Sequence, residues 1–139
     1  MNWNSFKRKY GKNTTSNIQL INWAKQLKIK PFYYVMRDEV QHLPKDEIPI
    51  FCITNIHTSK EKGVHHSAIA KTLQGNYFFD SYGLPPTEEV KRFLGTGVYS
   101  TFQIQTFNDS YCGQISLFIL CQLSQGYKFE EIVFKLKIL

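Results

Sequence analysis

Apolar residues recur along this chain at two spacings, about 3.6 residues in some stretches and two in others. The changes between them mark out the predicted elements. Leu20, Trp23, Ala24 and Leu27 fall at i, i+3, i+4 and i+7 behind Ser16 or Asn17, either of which can cap a helix. Lys25, Lys28 and Lys30 load the C-terminal end of this helix, and Pro31 stops it. The segment from Phe32 to Pro49 is mixed and turn-rich. Three strands are predicted next, at Ile50 to Ile56, Val64 to Ala70 and Tyr77 to Asp80, with a turn at Thr72-Leu73-Gln74-Gly75 between the last two. Gly83-Leu84-Pro85-Pro86 breaks the pattern, Thr87 caps a short helix through Phe93, and a fourth strand is predicted over Thr101 to Thr106. Cys112 to Ser124 is hydrophobic around most of a helical circumference and is therefore expected at the centre of the fold. Gly126 ends it, and Phe129, Ile132, Val133 and Leu136 mark a last amphipathic helix. Strands in the middle with helices before and after predict an α+β fold, a small, mostly antiparallel central sheet flanked by helices.

Composition narrows the class. The chain has 139 residues, 42% hydrophobic and 15% aromatic, which excludes a disordered chain and suits one domain spanning residues 1–139. No apolar run approaches the roughly 18 residues that span a bilayer, and Met1-Asn2-Trp3-Asn4 starts no signal-peptide pattern, so neither membrane nor secretion is expected. The net charge of +6 is unevenly placed. Residues 1–37 hold eight basic residues and no acid, whereas residues 38–139 hold nine against eleven. Residues 1–15 are therefore expected as a basic, loosely held N-terminal arm.

Three cysteines are too few and too odd a number for a disulfide scaffold. Cys52 and Cys121 lie inside apolar runs and read as small buried hydrophobes. Cys112 differs: it follows the polar Asn108-Asp109-Ser110 loop and opens the buried helix. Unpaired N–H groups and the helix dipole there favour a thiolate. An imidazole is the usual base for such a thiol. His42 and His57 fall in turn-like segments and read as surface residues, leaving the adjacent His65 and His66. On a strand their side chains point to opposite faces, so only one is expected to meet a given partner. If the hairpin turns around Lys71 to Gln74, opposed residue numbers sum to about 145, which sets His65 across from Asp80. A carboxylate there would fix the imidazole tautomer. An acyl-transfer site also needs oxyanion donors: the Cys112 N–H is one, and Gln103, Gln105 and Gln114 are all candidates for the other.

These residues resemble a family. Gly63-Val64-His65-His66-Ser67-Ala68 is similar to the Gly-x-His-Trp-x-Ala segment of adenovirus-type (adenain-like) maturation cysteine proteases. Tyr77-Phe78-Phe79-Asp80-Ser81-Tyr82-Gly83 resembles their aromatic-acid-x-aromatic-Gly strand end, and Gln105 through Cys112-Gly113 has their Gln to Cys-Gly spacing. Pro31-Phe32-Tyr33-Tyr34 and Phe51-Cys52-Ile53-Thr54-Asn55 resemble their N-terminal blocks, so the likeness runs from about residue 17 to residue 121. It implies a papain-like α+β core with Cys112 as nucleophile, His65 as general base, Asp80 as its orienting acid and Gln105 as oxyanion donor. It also implies proteolysis of viral capsid precursors during maturation, in the virion and the infected cell, by a monomer. Two departures stand out. His66 occupies the position of the family's Trp, and is expected to pack quietly. The adenovirus enzyme takes a disulfide-linked activating peptide at a position that falls near Leu94, and no Cys lies between 53 and 111 here. Activation through such a disulfide is therefore not expected, whereas activation by a free peptide or by DNA is compatible with the sequence, and the chemistry requires no cofactor. The short chain resembles the compact versions in virophages and virus-like transposons.

Two other functions fit part of the pattern. SUMO- and ubiquitin-deconjugating proteases share the His, Asp, Gln, Cys order but have longer catalytic domains. A DNA-binding virion protein without catalysis would use the basic residues 1–37, with Trp3, Phe6 and Tyr10 among them, to contact phosphates non-specifically. A metal site built from Cys52, His57, His65 and His66 lacks closed ligand spacing.

Overall fold

The structure, a computed structural model, describes residues 1–11, 13–57, 65–99, 103–104 and 111–137. Its elements run α1 (Trp3–Tyr10), α2 (Asn17–Gln26), β1 (Phe32–Met36), a 3₁₀ turn (Arg37–His42), β2 (Ile50–Asn55), β3 (His66–Thr72), β4 (Gly75–Phe79), α3 (Glu88–Leu94), β5 (Val98–Tyr99), α4 (Cys112–Ser124) and α5 (Phe129–Lys137). The strands form one sheet in the order β1-β2-β3-β4-β5. The expected antiparallel pairing holds for β2–β3 and β3–β4, while β1 and β5 join the two edges in parallel.

Alternation along the strands feeds two cores. Phe51 and Ile53 of β2, Ala68 and Ala70 of β3, and Tyr77 and Phe79 of β4 face one core, shared with α1, α2, α4 and α5. Ile50 and Cys52, Ile69, and Phe78 face the other, closed by the 3₁₀ turn and α3. Both sheet faces are thus covered, in three layers. The small side chains of Ala68 and Ala70 suit the close packing of α4 against β3. Residues Cys112 to Cys121 of α4 are all buried, as its uniform hydrophobicity predicts.

Three expectations are corrected. Residues 1–15, expected as a loose arm, include a helix: Asn2 caps α1 through Ser5 N–H, and Trp3, Phe6 and Tyr10 are buried. Trp3 and Phe6 pack on Phe118 at ring distances of 5.5 and 5.3 Å, and Tyr10 packs on Trp23 at 5.0 Å. Three large rings on one helical face outweigh the polar residues between them. Second, the turn-rich segment after Pro31 contains β1, whose residues are only half-buried at the sheet edge and show no alternation. Third, strand structure after α3 occurs at Val98–Tyr99. Of the strand expected over Thr101 to Thr106, only residues 103 and 104 are described, and they form no strand. The helix expected before Pro31 is α2, which ends at Gln26, with Lys28 in the left-handed region at φ 59°.

Candidate active site

The start of α4 meets the start of β3 at one end of the sheet. Cys112 is the first residue of α4 and is 6% exposed. Its backbone N–H has no intrahelical acceptor, and the helix dipole points its positive end at the sulfur. Gly113 follows because there is no room for a side chain: a Cβ there would sit 2.5 Å from Thr15 Cγ2. Thr15 belongs to the linker between α1 and α2, which lies over the first turn of α4. Asn13 in the same linker accepts a hydrogen bond from Gln114 Nε2 at 2.7 Å. Gln114 is therefore a buried tie to the linker. Gln103 is exposed, and Gln105, the residue that the family resemblance favours, lies outside the described residues.

His65 and Asp80 are buried together, with His65 Nε2 donating to Asp80 Oδ2 at 2.8 Å. The pairing arises by a register other than the expected one. In the β3–β4 hairpin Ala68 opposes Phe79 and Ala70 opposes Tyr77, so opposed numbers sum to 147 rather than 145. Continuing that register sets Ser67 opposite Asp80, and Ser67 Oγ donates to Asp80 Oδ2 at 2.7 Å. A slip of two residues keeps His65 on the same side, one diagonal step away and within reach. Asp80 Oδ1 accepts the N–H of Tyr82 at 2.8 Å, a tight side-chain turn. That turn lays the Tyr82 ring flat on His65, with centroids 4.3 Å apart and planes 9° apart. Ser67 and Tyr82 thus support the site beyond the residues that the sequence reading selected. The Asp-Ser-Tyr-Gly run was the available signal for the turn.

The other nitrogen of His65, Nδ1, is buried and has no hydrogen-bond partner among the described residues. It is the nitrogen left for Cys112, and each group shifts the other's pKa. Burial lowers the His65 pKa, but the Asp80 hydrogen bond and then Cys112 outweigh it and raise it to about 9. For Cys112 burial works upward, and the His65 and His66 contacts overcome it, bringing the thiol down to about 6. A thiolate beside an imidazolium is the favoured state between those values.

His66 does not pack apart from the site. Its backbone N–H donates to Cys112 Sγ at 3.4 Å, and its Nδ1 lies 3.8 Å from the same sulfur. Strand alternation turns His66 toward α4, with Ala68 and Ala70, whereas His65 precedes the strand and is not bound by it. Both imidazoles therefore approach one sulfur, contrary to the expectation that only one would. His42 is exposed and His57 half-buried. Among the described residues no group of three or more His, Cys, Asp or Glu side chains could hold a metal ion, and no helix is long and apolar enough to cross a membrane.

No protein-family model matches the chain, and no curated protein matches it. Among solved structures, the fold is similar to the crystal structure of the selenomethionine form of the ASFV pS273R protease, with a TM-score of 0.61 and 16% sequence identity. The match covers 87% of this chain and 62% of that one, so this chain spans less than two thirds of the neighbour's length. The likeness does not single out the adenovirus-type enzymes. It establishes the architecture: this chain shares the α+β fold of that protease, a five-stranded sheet flanked by helices.

Proposed function

We propose that the protein is a cysteine endopeptidase. The observation that carries this reading is the buried His65 Nε2–Asp80 Oδ2 hydrogen bond at 2.8 Å, which leaves His65 Nδ1 unpartnered beside a thiol at a helix N-terminus. In the proposed mechanism His65 Nδ1 holds the proton taken from Cys112, and the thiolate attacks a peptide carbonyl carbon. The tetrahedral oxyanion is received by the Cys112 backbone N–H, with Gln105 as the second donor implied by the family resemblance. Collapse breaks the C–N bond, and the imidazolium gives its proton to the departing amine. Water, deprotonated by the now neutral His65, then hydrolyses the thioester, and the acid leaves with Cys112 restored. Asp80 stabilises the imidazolium throughout.

The substrates we propose are viral capsid precursors cleaved during virion maturation, in the virion and infected cell. The sequence blocks and a fold shared with a viral protease support this reading. The position corresponding to the adenovirus activating disulfide falls near Leu94, at the buried end of α3, and the proposed enzyme works without that link. Duplex DNA is a proposed partner of the basic N-terminal segment, where Lys7, Arg8 and Lys9 lie in the last turn of α1. A thiol-directed irreversible probe tests the core of the proposal. Cys112 is expected to label in preference to Cys52 and Cys121, and labelling should fall in His65→Ala. Equal labelling of all three thiols would refute the assignment. Cleavage of ubiquitin-like precursors in place of capsid precursors would move the substrate class without touching the chemistry.

A further inference from the structure

The thiol is held from two sides. The side opposite the His65–Asp80 pair has a hydrogen-bond chain of its own. His57 N–H donates to Asn55 Oδ1 at 3.0 Å, which turns the amide NH2 of this buried Asn away from that backbone. Asn55 lies one diagonal step from Tyr34, which opposes Ile53 across β1 and β2, and it favours the ionised phenol there, set against the larger upward effect of burial. The Tyr34 hydroxyl carries a proton to give, and His66 Nε2 lies 2.8 Å away. An Nε2 that accepts leaves the proton of a neutral imidazole on Nδ1. That Nδ1 faces Cys112 Sγ at 3.8 Å, beside the His66 backbone N–H at 3.4 Å. The chain therefore ends in two donors from one residue aimed at one sulfur. The Tyr34 ring meets His66 edge-on at 5.5 Å, and Gly113 leaves space beside the imidazole.

We infer that His66 is a second imidazole on the nucleophile, one that donates Nδ1–H to the Cys112 thiolate and is held in that tautomer by the positioning residues Tyr34 and Asn55. The inference rests on Cys112 being the nucleophile of the proposed peptidase. Its role differs from that of His65. His65 exchanges the proton with sulfur and substrate, whereas His66 keeps its proton and stabilises the anion. The titratable groups facing His66 are Tyr34 from β1 and Cys112 from α4, with His65 preceding it in the chain.

The test is the pH dependence of Cys112 alkylation by iodoacetamide in the full chain, followed by mass spectrometry, with circular dichroism melting as a check on folding. In the wild type Cys112 should react well below the pH of an ordinary thiol. His66→Phe, which keeps a ring but removes the donor, should move the acidic limb up by about one pH unit, roughly a fivefold loss of rate at pH 6. Any further change in rate where His65 loses its proton should stay in place. Tyr34→Phe, which leaves both imidazoles intact, should move the acidic limb in the same direction by less, and it carries the test if His66→Phe does not fold. An acidic limb unmoved in His66→Phe would overturn the inference while leaving the peptidase reading standing, and one unmoved in Tyr34→Phe would overturn the bracing. A wild-type Cys112 no more reactive than a denatured thiol would remove both.

Discussion

Cys52 and Cys112 are both buried thiols, 0% and 6% exposed, and burial pushes both toward the neutral form. They nevertheless end far apart. Cys52 sits in the middle of β2 among Ile50, Ile69 and Phe78, and burial raises its pKa far above that of a free thiol. Cys112 sits where the sheet ends and α4 begins, and His65, His66 and a backbone N–H reverse the effect of burial and bring it down to about 6. Cys121 follows Cys52, its pKa raised by burial. The contrast locates the chemistry. The Cys112 thiol is lowered because the end of the sheet supplies donors that the interior cannot, and burial by itself works the other way.

The largest expected effect comes from disabling the donor side of that contrast. Asp80→Asn removes the carboxylate whose Oδ2 accepts from both His65 and Ser67, so peptidase turnover should fall on the order of 10²–10⁴-fold. A steady-state assay returning near wild-type turnover would break the account of the site. Next comes pH. Below about 6 the Cys112 thiolate takes a proton, and above about 9 the His65 imidazolium loses one. Activity should therefore rise through the first value, hold between them and fall through the second, and a profile with only one limb would show that the ion pair is not the reacting state. The smallest effect belongs to the other cysteine. Cys52→Ala should leave turnover unchanged and lower the unfolding free energy by about 1 kcal/mol in a denaturant titration, the cost of a small cavity in a packed core.

Much of this arrangement was legible in the chain because it rests on local periodicity. The predicted apolar circumference of α4, the Phe129, Ile132, Val133 and Leu136 stripe of α5, and the cap of α2 at Ser16 all appear where the pattern set them. The two-residue alternation also survived a register error. Had the hairpin slipped by one residue, His65 and Asp80 would lie on opposite faces, but a slip of two preserved the face and cost only the identity of the opposing residue, Ser67. What the pattern hid was structure sustained by distant partners. The helix α1 forms because Phe118 and Trp23 receive its aromatic rings, and β1 because β2 pairs with it. In α1 the i, i+3, i+7 spacing of Trp3, Phe6 and Tyr10 behind Asn2 was masked by the polar and basic residues between them, and β1 has no alternation to read, since most of the stabilisation comes from tertiary packing.

The same division holds at the site. From its own residues the chain determined that one cysteine opens a buried helix, that a histidine and an aspartate fifteen residues apart share one side of a hairpin, and that the other two cysteines belong to cores. Helical and strand periods carry that information directly. Only the tertiary structure decided that His65 and His66 both approach one sulfur. Alternation assigns His66 to the α4 side, His65 reaches the thiol because it stands just outside the strand, and Tyr34 and Asn55 come from two other strands to hold the second ring. A hydrogen-bond chain that crosses β1, β3 and α4 has no period along the sequence, and so it existed only once those elements were packed.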